Sequence, residues 1–310
     1  MTAKFYQLHR SGIRSGNLSF LFTCPACGNN SSQCTQVPFH KYRGGTLWHQ
    51  CLACGSFFES GAYDKQKEAL HAQNTTYGRP DLGKGLNEFK KRMYRSVLTL
   101  LERHRPPPAV LLDAGCSFGG FLTEAREAGY DVFGFDILPQ AVEYVRSVGI
   151  TAELSFSICD VKIIENGALD IVTCLDCNCY WPNQPSELRH AFGKLKPGGY
   201  LAMRVVDKSW ACSLGLAIHR IAPSIGKKIL MAAVNDHRFS MPVRSLLKVI
   251  QSCGFKVVHA SPRGAIPSHK TRWIVKLSFV LGSLVWATTG MFVAPGALVL
   301  ARKPRNDSKI

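Results

Sequence analysis

Apolar and polar positions between residues 110 and 136 predict a strand, a tight turn, a helix and a second strand in succession. The first apolar run ends at Asp113 and the second, Tyr130–Phe135, ends at Asp136. Between them, apolar side chains recur with the period of a helix, at Phe121, Leu122, Ala125 and Ala128. The turn before this helix is rich in glycine, at Gly115, Gly119 and Gly120. In such units the glycines let a cofactor approach the backbone, and an acid about 20 residues later accepts hydrogen bonds from ribose hydroxyls.

The turn itself reads DAGCSFGG from Asp113 to Gly120. It resembles the D-x-G-C-G-x-G motif of class I S-adenosylmethionine-dependent methyltransferases rather than the G-x-G-x-x-G turn that holds a dinucleotide pyrophosphate. The resemblance implies that S-adenosyl-L-methionine is the cofactor. It also implies a set of cofactor-binding residues, which are Asp113, Gly115, Ser117, Gly119 and Asp136. Because Ser117 stands where the family usually has glycine, we expect some loss of affinity.

The segments that follow keep the order of the same family. Ala168–Leu175 predicts a buried strand, Leu195–Tyr200 (LKPGGY) a turn before the next strand, and Ser240–Gly254 a helix with Pro242 in its first turn. The resemblance runs from Val110 to about Lys303 and implies an α/β, Rossmann-like domain. Its sheet should have seven mostly parallel strands with an antiparallel last strand. It also implies an acid near the adenine amino group, for which Asp160 and Glu153 compete.

Two Cys-x-x-Cys pairs precede this domain, namely Cys24 with Cys27 and Cys51 with Cys54. Two such turns can hold four thiolates around zinc (Zn2+), and the glycine after each pair permits a tight turn. The residues between the pairs predict a β-hairpin through Gly44–Gly45. Disulfides are the alternative, but no secretory segment is evident and the other cysteines are scattered, as in proteins of a reducing compartment. We therefore expect a structural zinc ribbon and a cytoplasmic protein.

These patterns divide the chain into three parts. Residues 1–62 form the zinc-ribbon module, residues 63–108 a helical cap or linker, and residues 109–310 the methyltransferase domain. Gly85–His104 predicts an amphipathic helix, which the prolines at positions 106–108 terminate. In methyltransferases of this shape such a helix covers the cofactor pocket.

Candidate catalytic residues come from a further resemblance. In sugar C-methyltransferases that carry an N-terminal four-cysteine zinc module, a Glu-His pair lies in the loop where this chain has Asp236 and His237. A tyrosine before the covering helix joins the active site there, which points to Tyr77, with Tyr63 as the rival. His237 is the preferred general base because an unperturbed imidazole titrates near neutral pH. The alternative is that His237 only orients its loop.

The charge of the chain indicates what kind of partner it binds. The net charge of +17 favours an anionic partner, and our first candidate for the methyl acceptor is an anionic sugar or glycan precursor or another small metabolite. Ribosomal RNA is the second choice, and a non-catalytic zinc-dependent interaction module on a degenerate fold is the third.

Leu277–Leu300 contains no charged side chain and is long enough to span a bilayer, but Pro295–Gly296 interrupts it. We rank a soluble or peripheral protein above an integral one, with membrane contact through residues 209–234 and 277–294 left open.

Overall fold

A computed structural model of the protein describes residues 23–40, 47–60, 64–74, 88–234, 237–262, 272–289, 292, 294 and 296–305. The helices are α1 (Lys65–Asn74), α2 (Glu88–His104), α3 (Gly120–Glu127), α4 (Pro139–Ser147), α5 (Gln184–Lys194), α6 (Ser209–His219), α7 (Pro223–Val234), α8 (Val243–Ser252) and α9 (Arg272–Thr289). The strands are β1 (Cys34–His40), β2 (Leu47–Cys51), β3 (Phe57–Glu59), β4 (Val110–Ala114), β5 (Asp131–Asp136), β6 (Thr151–Leu154), β7 (Leu169–Leu175), β8 (Leu195–Val206), β9 (Phe239–Ser240), β10 (Lys256–Pro262) and β11 (Gly296–Arg302).

Seven strands form the large sheet, in the order β10-β11-β8-β7-β4-β5-β6. Strand β11 runs in the direction opposite to the other six strands of this sheet. The predicted seven-stranded, mostly parallel sheet with an antiparallel last strand is therefore confirmed. Strands β4 and β7 lie at its centre, and nearly every residue in them is buried. Helices cover both faces of the sheet, so central strands read as continuous apolar runs rather than as an alternation.

Two local predictions differ from the structure. The helix predicted from Ser240 begins at Val243, because Ser240 belongs to β9 and Pro242 precedes the first turn of α8. The predicted turn at Leu195–Tyr200 is part of β8, which extends from Leu195 to Val206. The register with β7 shifts in this region, and Gly198 adopts a positive φ of 86°. The Gly198 amide donates to the Lys303 carbonyl at 2.9 Å, so the chain after β11 supports this irregular start of the strand.

A second, four-stranded sheet has the order β1-β2-β3-β9. The predicted hairpin is present, because β1 and β2 pair antiparallel, although its tip lies outside the described residues. The last strand, β9, comes from far along the chain, and its Phe239 pairs with Phe58 of β3. The cysteine-bearing module thus shares a sheet with a segment of the predicted methyltransferase domain.

Two insertions leave the large sheet at the edge where its parallel strands end. Helices α6 and α7 follow the end of β8, and α9 connects β10 to β11. Within the part of the chain that the structure describes, no helix is both long and apolar enough to cross a bilayer.

Candidate active site

A cavity of about 320 Å³ opens at the carboxyl ends of β4, β5 and β7. This edge is where ligands bind in open α/β sheets. Its floor is the turn after β4, its sides come from the ends of β5 and β7, and α1 and α2 cover it. The residues that α1 and α2 contribute are Glu68, His71, Ala72, Lys90, Met93 and Tyr94.

Asp136 lies at the end of β5 and lines the cavity. Its Oδ2 accepts the Ser117 amide at 2.7 Å and its Oδ1 accepts the Leu138 amide at 3.0 Å. Burial raises the pKa of Asp136, and these two amides act in the opposite direction. Each oxygen keeps a second lone pair, so the carboxylate can still accept a pair of hydroxyl groups.

Asp113 lies at the end of β4, also within the cavity lining. The Thr173 hydroxyl donates to its Oδ1 at 2.6 Å. Burial raises the pKa of Asp113 to about 7, the Thr173 hydrogen bond opposes that rise, and the nearby Asp136 charge adds to it. The Asp113 carboxyl thus titrates close to neutral pH, and a cationic ligand bound beside it would favour its charged form.

The glycine-rich turn contains two different kinds of glycine. Gly115 lines the cavity with a φ of +72°, and a Cβ there would lie 2.7 Å from the Cys177 Cβ. Gly119 also has a φ of +72°, but a Cβ there would lie 2.9 Å from Val145 Cγ2, and the residue is not among those that line the cavity. Gly115 therefore permits the close approach of Cys177 to the turn at the cavity, whereas Gly119 permits packing of α3 against α4.

Ser117 occupies the position where the family usually has glycine. Its φ of +48° lies in the left-handed region, which costs about 1–2 kcal/mol for a residue with a Cβ. Its amide points at the Asp136 carboxylate. The glycine preference of the family at this position thus has a conformational reason, and this chain keeps the conformation with a serine.

A buried ion pair that the sequence did not reveal lies beside this turn. Asp176 follows β7 with a φ of +67° and lines the cavity. It pairs with Arg204 of β8, whose side chain is 3% exposed. Burial raises the pKa of Asp176, and the Arg204 guanidinium lowers it. An acid directly after a buried strand was the available signal, because parallel strands end at the same edge of a sheet.

The base candidate lies next to the cavity rather than in its wall. His237 is 9% exposed, and its ring meets that of Tyr180 edge to face, with centroids 6.0 Å apart. Tyr180 lines the cavity. The neighbouring Arg238 forms a 2.7 Å ion pair with Glu68 of α1, so the His237 loop and the cover of the cavity are joined.

Other predicted site residues are not brought to the cavity. Asp160 is 54% exposed and forms a 3.6 Å ion pair with Lys65. Its rival Glu153 accepts the Lys162 and Ile163 amides outside the cavity lining. Phe156, from the same loop, lines the cavity instead. The predicted site residues Asp236 and Tyr77, and the rival Tyr63, lie outside the described residues.

The four predicted metal ligands do come together. The Sγ atoms of Cys24, Cys27, Cys51 and Cys54 all lie within 4.8 Å of one another. The Cys24–Cys54 and Cys27–Cys51 Sγ distances are both 3.8 Å. A tetrahedral zinc with Zn–S bonds of about 2.3 Å places its sulfur atoms about 3.8 Å apart, so the cluster fits this ion.

The cysteine cluster is docked on two helices of the large sheet. The Gln184 amide donates to the Pro25 carbonyl at 2.8 Å, and the Ser245 hydroxyl donates to the Cys54 carbonyl at 2.7 Å. These contacts tie both cysteine turns to the N-terminal ends of α5 and α8. The cluster lies away from the residues that line the cavity, and four thiolates leave no open coordination position.

Curated relatives of the chain are O-methyltransferases. It is 30% identical over 105 residues to the ubiquinone biosynthesis O-methyltransferase of Bordetella avium, which is 32% of this chain and 43% of that protein. It is 28% identical over 157 residues to the protein of the same name from Colwellia psychrerythraea, 49% of this chain and 62% of that one. The chain thus spans between two fifths and two thirds of the length of these relatives.

Solved structures share the fold at low identity. The geranyl diphosphate C-methyltransferase of Streptomyces coelicolor matches with a TM-score of 0.50 and 15% identity, over 78% of this chain and 99% of that chain. A family model described as "Methyltransferase domain" matches residues 86–260, more than half of the 310 residues. The protein therefore belongs to the methyltransferase domain family, and its domain is of the class I, S-adenosylmethionine-dependent kind.

Proposed function

We propose that the protein transfers the methyl group of S-adenosylmethionine to a small-molecule acceptor in the cavity between the sheet edge and α1. The observation that carries this proposal is the meeting of Asp113, Asp136 and Asp176 in one cavity. The cofactor bears a sulfonium and an ammonium group, and buried carboxylates favour such cations. Methyl transfer then requires mainly that the acceptor atom be aligned with the sulfonium.

Cofactor binding is assigned to the turn and to the ends of two strands. Asp136 accepts the ribose hydroxyls, and Gly115 allows the amino-acid part to lie against the backbone. Asp113 balances the positive charge of the ammonium group. Phe156 replaces Asp160 as the residue proposed beside the adenine ring of the cofactor, because Phe156 lines the cavity and the Asp160 carboxylate faces Lys65.

Deprotonation of the acceptor is assigned to the His237–Tyr180 pair. Tyr180 lines the cavity and positions the acceptor, and His237 packs against its ring outside the lining. One bridging water then carries the proton of the acceptor to the His237 imidazole. The Glu68–Arg238 ion pair keeps α1 over both residues and excludes bulk water from the cavity.

Two classes of acceptor follow from different observations. The resemblance to zinc-module sugar methyltransferases favours a sugar or glycan precursor. The curated relatives are named ubiquinone biosynthesis O-methyltransferases, which favours an oxygen acceptor. The apolar lining, which includes Met93, Leu175 and Trp181, suits an aromatic ring, so the two observations together favour a phenol. We keep the sugar class as the first candidate and the phenol class as the second.

We assign zinc a structural role in this scheme. The four sulfur atoms fit a tetrahedral ion, and the cluster supports β9, which directly follows His237 and Arg238. Zinc therefore stabilises the loop that carries the proposed base and takes no part in the methyl transfer.

Calorimetry of S-adenosylmethionine binding to zinc-loaded protein tests the proposal. We expect micromolar binding that Asp136→Ala abolishes. Asp131→Ala is the matched control, because Asp131 begins the same strand and is exposed. Binding by wild type and by the control, but not by Asp136→Ala, supports the site.

A folded wild type that binds no cofactor would overturn the enzymatic function in favour of an interaction module. If cofactor binds, a screen of nucleotide sugars, phenols and RNA identifies the acceptor. Strongly salt-dependent RNA binding accompanied by methylation would refute the small-molecule class.

A further inference from the structure

Helix α9 exposes a continuous apolar stripe. Five large apolar side chains lie at positions i, i+4, i+7, i+8 and i+11, which is one face of a helix. Their exposed fractions are 67, 48, 66, 52 and 62% for Trp273, Leu277, Val280, Leu281 and Leu284, respectively. Soluble proteins rarely leave such a stripe in contact with water unless it has a binding partner.

A second apolar surface lies at the connection between α6 and α7, which we call the hairpin tip. Ile221 is 90% exposed and Ile225 is 56% exposed. Arg220, Lys227 and Lys228 beside them are exposed as well. The hairpin tip thus places apolar and basic side chains together.

The other side of this hairpin is buried and well packed. Cys212, Leu230 and Val234 form a small core with Trp48 and Phe57 of the cysteine module. The helices approach closely at Gly226, where a Cβ would lie 2.4 Å from the His219 amide nitrogen. The two helices of the hairpin are therefore packed closely against each other and against the cysteine module, while the hairpin tip stays exposed.

Both insertions start from one edge of the large sheet. Val206 at the end of β8 pairs with Gly296, and the next residue, Ala297, pairs with Pro262 at the end of β10. The points at which the two insertions leave the sheet, after Val206 and after Pro262, are therefore neighbours at the edge where the cavity opens. Two insertions that leave the sheet side by side can present their exposed apolar surfaces to one extended partner.

We propose that the α9 stripe and the hairpin tip dock the protein on the surface of an anionic lipid bilayer. Neither residues 209–234 nor residues 272–289 contain an aspartate or glutamate, while both carry basic residues. A basic and apolar surface without acids complements anionic lipid, and tryptophan prefers the interface between headgroups and acyl chains. Helix α9 lies along the interface in this arrangement, since no described helix is suited to cross a bilayer.

Vesicle flotation with the full-length, zinc-loaded chain tests this docking independently of any methyl acceptor. Wild type should float with phosphatidylcholine vesicles that contain phosphatidylglycerol, and less with phosphatidylcholine alone. Val280→Ser with Leu284→Ser should weaken binding about tenfold or more, because two apolar side chains no longer enter the interface. Lys227→Gln with Lys228→Gln should weaken binding about thirtyfold on anionic vesicles only.

The matched control is Val148→Ser with Ile163→Ser, which removes two exposed apolar side chains outside the proposed surface. It should bind vesicles like wild type. Circular dichroism and zinc content establish that each variant is folded. The proposal is overturned if wild type does not float, or if the α9 variant and the control lose binding equally. It is also overturned if sedimentation shows a wild-type dimer that the α9 variant abolishes, since a second copy would then cover the stripe.

Discussion

Replacing Asp113 with asparagine should stabilise the cofactor-free protein above pH 7 and weaken cofactor binding. The Asp113 carboxyl has a pKa of about 7 in the fold, against an ordinary value of 3.8. Below about pH 4 both the folded and the unfolded chain hold this proton, so the group has no effect on stability. As the pH rises from about 4 to 7, only the unfolded chain releases the proton, and the free energy of unfolding falls.

The size of this effect follows from the two pKa values. A gap of about three units at ~1.4 kcal/mol per unit sets an upper limit of about 4 kcal/mol on the penalty above pH 7. Asparagine removes the charge but also weakens the Thr173 hydrogen bond by about 1 kcal/mol. We therefore expect Asp113→Asn to raise the free energy of unfolding by about 2–3 kcal/mol near pH 8. Near pH 4 the substitution should leave the free energy of unfolding unchanged or lower it.

Urea unfolding of zinc-loaded, cofactor-free protein near pH 4, 6 and 8 measures this difference. Other buried acids also titrate, but their contribution largely cancels between wild type and variant. Asp131→Asn is the control, because its side chain is exposed and the change should be small at every pH. Calorimetry should show S-adenosylmethionine binding at least about tenfold weaker, since the ammonium group loses a buried countercharge. A stability difference that does not depend on pH would refute the reasoning.

Three further changes test other parts of the structure. Gly115→Ala should lower the free energy of unfolding by about 2 kcal/mol or more and prevent cofactor binding, because the new Cβ would lie 2.7 Å from the Cys177 Cβ in a backbone with a φ of +72°. Urea unfolding measures the first effect and calorimetry the second. Cys24→Ser, like chelation of zinc, should lower the melting temperature by about 10 °C, because the cluster holds the small sheet against α5 and α8. Glu68→Gln should remove the ion pair with Arg238 and speed hydrogen exchange in α1 about tenfold or more.

Each change has a control in the same chain. Gly193→Ala should be neutral or stabilising, since a Cβ there meets nothing within 4 Å. Cys159→Ser should keep zinc and the melting temperature, because Cys159 is exposed and outside the four-sulfur cluster. Lys67→Gln should leave exchange in α1 unchanged, because this side chain is 83% exposed in its ion pair with Asp64. Equal effects of a change and its control would contradict the corresponding contact.

The elements around the cofactor turn were predictable because their signals are local. The apolar runs that end at Asp113 and Asp136 became β4 and β5, and the periodic segment after the turn became α3. The four cysteines were predictable for the same reason, since each pair closes a short turn. A period, a glycine or a Cys-x-x-Cys spacing acts over a few residues, and tertiary contacts need not be known to recognise it.

The pairings between distant segments were not predictable in this way. Nothing in the local pattern of α1 indicates that Glu68 meets Arg238, 170 residues later, or that Arg204 pairs with Asp176 inside the sheet. Asp160 shows the converse case, because the order of the family suggested a place near the cofactor and the structure pairs its carboxylate with Lys65, outside the cavity lining. Side-chain direction at a loop depends on which neighbour it meets after the chain has folded.

By itself the sequence determined the unit of β4, the glycine turn, α3 and β5, the two acids at its strand ends, and the two Cys-x-x-Cys turns, because short-range sterics and apolar periodicity specify these. Only the tertiary structure decided that β9 joins the cysteine module to the loop of His237. The tertiary structure alone also decided that α1 covers the cavity and that one face of α9 stays exposed. These features depend on which surfaces remain to be buried once the sheet has formed, and contacts between distant parts of the chain decide that.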